Sequence, residues 1–385
     1  MDSKTYLTNK NFCPIAWSGL MYNFDGKVKT CIRSSDYLGS IQDSSIEDIL
    51  QNDKSVENRI NMMNHQPAPR CSPCYELEKN TSSFNVISDR VYYLKELKNI
   101  DKNLYTKPDN FHLSKIDVRW TNLCNLSCIY CGPIFSSKWA SELGVQQNYP
   151  TEQQQENFKN YIFSNITNLK NVYLAGGEPL LMKENLLLLQ ELQSKNQDVH
   201  IRINTNLSKT GTKIFDLLTE FKNVHWIVSF ETLAEEFEYV RYGNSWQDFV
   251  ENLNVISKLD HKISFNMLYF CLNYKSIFDA VDFLFDSGYH PNSLIIGPLL
   301  SPDNLNVRHL PDGMLNSARK IIKERLNQKP GFLYENGLKN ILSYINDPFD
   351  RKPESIVSAL STLDKRRSLD SRKIFKTFYN ELEGK

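Results

Sequence analysis

Along the middle of the chain, short apolar stretches alternate with longer segments of helical pattern. In Lys115-Ile-Asp-Val-Arg-Trp120, the apolar Ile116, Val118 and Trp120 alternate with polar neighbours, the two-residue period of a strand. Residues 171–175, 200–206, 224–231, 262–270 and 293–297 read as five more strands. Helical patterns fill the intervals at 184–194, 211–221, 246–259 and 276–288, and Phe135-Ser-Ser-Lys-Trp139 opens a helix after the first strand. Strand and helix in turn predict an α/β fold, with a parallel sheet and right-handed crossovers.

On either side of this region the pattern changes. Asp25-Gly26 lies between two alternating apolar stretches, a hairpin signal. Helical patterns follow at 45–51, with Ser44 or Ser45 as cap, and at 56–64. A polar turn, Asn80-Thr-Ser-Ser, then leads into Val91, Leu94 and Leu97 at helical spacing, which marks a joint in the chain. Beyond the sixth strand, Pro298 and Pro302 sit in a loop. Helical patterns then cover 314–326, 333–345, 356–363 and 374–382. No repeat or low-complexity stretch interrupts them.

Three cysteines carry the chemistry. Cys124-Asn-Leu-Ser-Cys128-Ile-Tyr130-Cys131 falls on the loop after the first strand, where reactive groups of parallel α/β folds gather. Three thiolates can hold three corners of a four-iron cluster and leave the fourth iron open. A zinc knuckle or a set of buried thiols is the plainer alternative. The second strand runs into Gly176-Gly177-Glu178-Pro179. Two glycines admit close backbone approach, and Glu178 with nearby carbonyls offers acceptors to an ammonium group. Alone, that segment would be an ordinary turn.

Together, the C-x3-C-x2-C triplet with an aromatic before its last cysteine and the GGEP segment resemble the radical S-adenosylmethionine (radical SAM) superfamily. The resemblance implies an open, partial (β/α)6 barrel. It implies a [4Fe-4S] cluster on Cys124, Cys128 and Cys131 whose open iron chelates the amino and carboxylate groups of SAM. One electron from the cluster would split SAM into a 5′-deoxyadenosyl radical, which abstracts a substrate hydrogen atom. Tyr130 would pack by the adenine, and Gly176, Gly177, Glu178 and Pro179 would seat the methionine amine. Thr205, Asn206 and Ser229, at strand ends, become candidates for the SAM ribose and carboxylate; capping of the next helix or turn is the alternative for each. Arg241 could meet the same carboxylate, although a surface ion pair is the simpler reading.

Four further cysteines form a second set: Cys13, Cys31, and Cys71-Ser-Pro-Cys74. With Cys13 and Cys31 at the two open ends of the hairpin, and the helices carrying the chain back, four thiolates converge on a closed site for zinc or iron–sulfur. Beside a radical SAM triplet, this set resembles the Twitch domain, a shortened relative of the SPASM domain that holds an auxiliary [4Fe-4S] cluster, here placed before the barrel instead of after it. The expected division is 1–88 for the auxiliary domain, 89–111 for a linker, 112–300 for the core barrel and 301–385 for a C-terminal helical region. The first eighty or so residues show little core of their own and would lean on the metal for folding.

A four-thiolate cluster has no iron free for substrate, so its natural role is to take or pass an electron. The expected outcome is a net oxidation of a small sugar- or cyclitol-like substrate. Modification of a peptide or protein is the alternative, and a non-catalytic iron–sulfur or zinc sensor is a reading from another class. Flavodoxin or ferredoxin is the kind of electron donor such chemistry implies. Cys271, alone at the end of the fifth strand, is either a buried core residue or a hydrogen-atom donor facing substrate.

Charge and composition narrow the setting. Lysine plus arginine and aspartate plus glutamate each number 45, giving a formal net charge of zero. That balance disfavours a nucleic-acid partner. The basic run Lys365-Arg-Arg367 reads as a solvated helix face. No apolar stretch reaches membrane-spanning length, and the polar start Met1-Asp-Ser-Lys-Thr is not that of a signal peptide. Clustered thiols meant for metal suit a reducing compartment, so a cytoplasmic location is expected.

Overall fold

The computed structural model describes residues 9–80, 88–96, 102–328 and 331–384. The chain start, the polar turn after Asn80 and Leu97 lie outside the described residues. The chain forms two compact units, Met1–Leu123 with Val145–Asn204 and Gly211–His225, and Cys124–Gly144 with Thr205–Thr210 and Trp226–Lys385.

The first unit is built on strands β1 (Gly19–Tyr22), β2 (Lys27–Lys29), β3 (Gly39–Ser40), β4 (Lys115–Val118), β5 (Asn171–Leu174) and β6 (His200–Thr205), ordered β3-β2-β1-β4-β5-β6. The expected hairpin forms: β1 and β2 run antiparallel, with Tyr22 opposite Val28. Gly26 makes its turn at φ 79°, a conformation that costs glycine little. The hairpin is not an appendage, however. The other edge of β1 pairs in parallel with β4, Gly19 opposite Lys115 and Tyr22 opposite Val118. Strands β4, β5 and β6 continue the parallel order, with Asp117 opposite Tyr173 and Tyr173 opposite Arg202. All four residues of β1 and of β4 are buried, as parallel strands covered on both faces are. Gly19-Leu-Met-Tyr22 has no polar face to offer solvent, which is why it takes an inner position.

Helices in this unit begin where their caps predict. Ser45 accepts a hydrogen bond from the Asp48 amide at the start of Ile46–Gln51, and Asn52 does the same for Ser55 in Asp53–Met63. Glu152–Ser164 is a helix with no counterpart among the expected elements. Thr151 and Gln154 close a capping box at its start, and it buries only Phe158 and Ile162, one turn apart. Such a thin apolar stripe explains why its periodicity is faint.

The residues around the hairpin do possess a core, contrary to the expectation from sequence. Phe12, Trp17 and Tyr105 pack ring against ring, with centroids 5.4 to 6.0 Å apart. The Trp17 indole N–H donates to the Lys107 carbonyl at 2.8 Å. Ile15, Met62, Ala68 and Leu94 complete the cluster.

In the second unit, β8 (Lys262–Tyr269) and β9 (Leu294–Pro298) pair in parallel, Phe265 opposite Leu294. Strand β7 (Val224–Ser229) leads into Phe230, whose N–H donates to the Asn266 carbonyl at 3.2 Å. The Phe230 ring stacks on Phe249 at 5.2 Å and meets Trp246, Phe237, Phe265 and Phe283. Helix Phe332–Asn346 lies directly on β9, because Gly337 has no Cβ; one there would stand 2.4 Å from the Ile296 carbonyl oxygen. The expected C-terminal helices are present as Asp312–Asn327, Phe332–Asn346 and Pro353–Arg367. The last pattern breaks at the buried Phe375 into Ser371–Ile374 and Lys376–Leu382. The fold is thus mixed α/β with a parallel sheet and a helical C-terminal region, and no closed barrel forms among the described strands. No helix of the described residues is long and apolar enough to cross a membrane.

Candidate metal centres

The triplet loop of the second unit is pinned along its backbone. Ser127 and Ile129 donate to the Tyr242 and Val240 carbonyls, both at 2.9 Å. The Ser137 hydroxyl accepts from the Cys124 amide at 3.0 Å and donates to its carbonyl at 3.2 Å. Ser136 donates to Leu126 at 2.6 Å, and the Trp139 indole donates to the Cys128 carbonyl at 2.8 Å. Cys131 folds back on Cys128 through a 3.0 Å turn. Cys128 is buried, and Cys124 and Cys131 are partly exposed. Burial pushes the thiols of Cys128 and Cys131 up, Cys131 to about 12, while the Arg241 guanidinium pulls both the other way.

Behind the loop stands a buried triad that the sequence did not announce. Arg241 binds the Glu231 carboxylate at 2.7 and 2.9 Å, and the Tyr130 hydroxyl donates to the same carboxylate at 3.1 Å. The expected surface ion pair at Arg241 is therefore an interior one. Burial raises the Glu231 carboxyl, and Arg241, although burial opposes its charge, is held above its usual range by Glu231. An acid at the end of a strand, followed a helix later by an arginine, was the available signal.

The strand-end candidates differ in role. The Thr205 hydroxyl accepts from the Leu207 amide at 2.9 Å, and the Asn206 side-chain carbonyl accepts from Ser208 at 2.9 Å, so both cap their own turn. Asn206 also donates to Asn125 at 3.2 Å, and its amide nitrogen lies 3.9 Å from the Cys124 sulfur. Ser229 ends β7, partly exposed. Cys271 is fully buried, its N–H donating to the Leu305 carbonyl at 3.0 Å, and burial raises its thiol.

In the first unit the glycine pair meets the chain's own backbone. A Cβ on Gly177 would fall 2.2 Å from the Leu123 carbonyl oxygen, and Gly176 sits at φ 115°. The Glu178 amide donates to Leu123 at 2.7 Å. Its carboxylate accepts from the Leu180 amide at 3.1 Å, capping the turn Pro179–Leu181. Residues 176–179 are thus locked to residues 121–123, the segment that leads into Cys124.

The second thiol set also gathers in the first unit. Cys13, Cys31, Cys71 and Cys74 line one cavity, with Ile15, Arg33, Ser34, Asp89, Arg90 and Tyr93. Cys13 does not sit at a strand end as expected but before the helical turn Ile15–Ser18; Cys31 follows β2 closely, and Cys71 and Cys74 flank the start of helix Ser72–Asn80. Burial pushes all four thiols up, Cys71 to about 12, and mutual repulsion adds to it for Cys13, Cys71 and Cys74. Among the described residues no three His, Cys, Asp or Glu side chains close around a single ion; these four thiols ring a cavity instead. Arg90 braces the site, donating to Glu78 at 2.9 Å and to the Phe12 carbonyl at 3.2 Å.

The family model of the radical SAM superfamily matches residues 118–284, and that of the SPASM iron–sulfur cluster-binding domain matches residues 13–75. Residues 118–284 thus form a radical SAM domain and residues 13–75 a SPASM-type iron–sulfur domain. The auxiliary domain precedes the radical SAM domain, and the cofactors are a [4Fe-4S] cluster, SAM and an auxiliary iron–sulfur cluster. Three thiols on one loop and four around one cavity fit these groups, whose iron would displace the protons that burial otherwise retains.

A 7-carboxy-7-deazaguanine synthase of Clostridium acetobutylicum is 36% identical over 100 residues, 26% of this chain and 39% of the relative. A GTP 3′,8-cyclase of Campylobacter lari is 23% identical over 148 residues, 38% of this chain and 44% of the relative. The chain therefore spans less than half the length of either. Among solved structures, anSMEcpe with bound AdoMet is similar at a TM-score of 0.43 and 15% identity, covering 56% of this chain and 62% of that one. Streptococcus suis SuiB bound to S-adenosylmethionine is similar at 0.42 and 15%, covering 72% and 63%.

Proposed function

We propose that the chain is a radical SAM enzyme that oxidises a small, hydroxyl-bearing substrate with help from its auxiliary cluster. The observation that carries this reading is the separation of the thiols into a triplet on one loop and a quartet around one cavity. Cys124, Cys128 and Cys131 hold the SAM-binding cluster, and Cys13, Cys31, Cys71 and Cys74 hold the auxiliary one. When bound, the first cluster and SAM supply a 5′-deoxyadenosyl radical that takes a hydrogen atom from a substrate C–H bond.

The protein's own residues position and exclude. Ser136, Ser137 and Trp139 fix the triplet loop. Glu231 holds the Tyr130 phenol in place beside it, where the ring can face the adenine. Gly176, Gly177, Glu178 and Pro179 would offer carbonyls and a carboxylate to the methionine amine. Asn206, close to Cys124, together with Thr205 and Ser229, would be the residues to meet the ribose and carboxylate of SAM. The auxiliary cluster, held by Cys13, Cys31, Cys71 and Cys74, would supply a one-electron acceptor, so that hydrogen-atom abstraction followed by loss of one electron and one proton to solvent would amount to a two-electron oxidation.

A small-molecule substrate accords with the names of the two curated relatives, which refer to small molecules; its sugar- or cyclitol-like character follows only from the likeness of the four-thiol site to that of Twitch enzymes. The test is anaerobic reconstitution with reductant and SAM, assayed against a panel of hydroxylated small molecules and of peptides. The wild type should release 5′-deoxyadenosine and C128A should not. Product with a peptide alone would transfer the chain to peptide modification. A fully loaded protein that never releases 5′-deoxyadenosine would be an iron–sulfur sensor.

A further inference from the structure

We propose that Lys115 is the buried counter-charge of the auxiliary iron–sulfur site, placed to stabilise its reduced state and so to draw an electron toward it. This rests on reading Cys13, Cys31, Cys71 and Cys74 as the auxiliary ligands.

Lys115 opens β4, between Gly19 of β1 and Asn171 of β5, and is 7% exposed. A lysine on an inner strand with so little exposure is costly unless an anion compensates it. Its ammonium stands 4.1 Å above the centroid of the Tyr93 ring, and Tyr93 lines the thiol cavity. Among the described residues that ammonium has no carboxylate or carbonyl partner; the ring is its only close contact of that kind.

Other cations at the cavity are already neutralised. Arg33 pairs with Asp89 at 2.8 Å, and Arg90 pairs with Glu78. Arg70, beside Cys71, pairs with Glu57 at 2.9 Å. Lys115, over the face of the Tyr93 ring, and Arg202, at its hydroxyl, are thus the cations on this cavity wall that no carboxylate pairs among the described residues.

Four thiolates around an oxidised [4Fe-4S] core leave a net charge of about −2, and one-electron reduction takes it to about −3. A fixed positive charge in a low-dielectric site favours the more negative state. Lys115 therefore supplies the anion's partner and a direction for electron flow, from the substrate radical to the auxiliary site. Tyr93 touches both the ammonium and the cavity, and its hydroxyl accepts from Arg202 at 3.2 Å.

The test uses the full chain, reconstituted anaerobically as wild type, K115M and K115R, with iron content and EPR confirming both clusters. Midpoint potentials then come from EPR-monitored redox titration. K115M should make the auxiliary cluster harder to reduce by roughly tenfold in its equilibrium, about 59 mV for one electron, with the SAM-binding cluster unmoved. K115R should stay near the wild type. Cluster-free K115M should melt no lower than cluster-free wild type, since it loses an unpaired buried charge. An unchanged auxiliary potential with both clusters loaded, or a sharply destabilised cluster-free K115M, would overturn the role of Lys115. A wild-type protein without iron at the second site would instead overturn the auxiliary reading beneath it.

Discussion

Arg241 closes both arms of its guanidinium on Glu231, and the two side chains are 2% and 1% exposed. Tyr130 hangs on the same carboxylate, so the residue just before the last triplet cysteine is tied to the end of helix Ala234–Val240. Breaking such a pair leaves a charge stranded in the interior. R241Q should cost about 3–5 kcal/mol of stability in urea unfolding of the cluster-free protein. Y130F, which removes one hydrogen bond and strands no charge, should cost about 1 kcal/mol. Equal costs would mean that the ion pair does not anchor the loop.

Gly177 and Gly132 make a second contrast. Alanine at Gly177 would drive its Cβ to 2.2 Å from the Leu123 carbonyl oxygen, whereas nothing lies within 4 Å of a Cβ on Gly132. G177A should destabilise by about 1–3 kcal/mol and weaken SAM binding, because residues 121–123 must move. G132A should leave both within about 0.5 kcal/mol. Thermal melts and SAM titration of the reconstituted proteins decide the matter.

Removing the second thiol pair should separate folding from chemistry. With Phe12, Trp17 and Tyr105 packed together, the C71A/C74A double variant should keep the hairpin folded and still cleave SAM, yet fail to release oxidised product. W17A, by contrast, should cost about 3–5 kcal/mol and loosen the segment even with metal present. Hydrogen exchange of residues 9–80 would report both. A normal rate of substrate turnover by the double variant would reduce the second site to a structural staple.

His112 gives the fold a dependence on acid. Burial beside the Tyr105 ring holds its pKa below the usual 6.5. The unfolded chain then takes up the proton first, so this contribution to stability is complete above about pH 6.5 and is lost as the pH falls below it. H112F should flatten the slope of the melting temperature between about pH 6.5 and 5, while a slope identical to wild type would place its origin elsewhere.

Much of this was legible in the chain. The strands of 115–120, 171–175, 200–206, 224–231, 262–270 and 293–297 could be read because each is short, apolar and bounded by polar turns, and all six are present with ends shifted by a few residues. Glu152–Ser164 escaped, since two buried residues in thirteen make no pattern. The parallel pairing of β1 with β4 escaped too, because periodicity shows which face of a strand is buried and not which strand lies beside it. At the site, spacing identified both thiol sets. It could not show that Glu231 and Arg241 meet in the interior, since the helix between them sets that distance. Nor could it show that Cys13 lies just before a helical turn.

The pairing of Gly19 with Lys115 also bears on the order in which the protein is made. β1 leaves the ribosome long before β4 exists, and until β4 arrives one edge of β1 has no neighbour. All four auxiliary cysteines precede β4, so they emerge on a segment whose inner strand is still unpaired. Cluster insertion before that point would meet an unfinished wall. Maturation of the second site should therefore wait on synthesis of the barrel's first strand, although every one of its ligands has already been made.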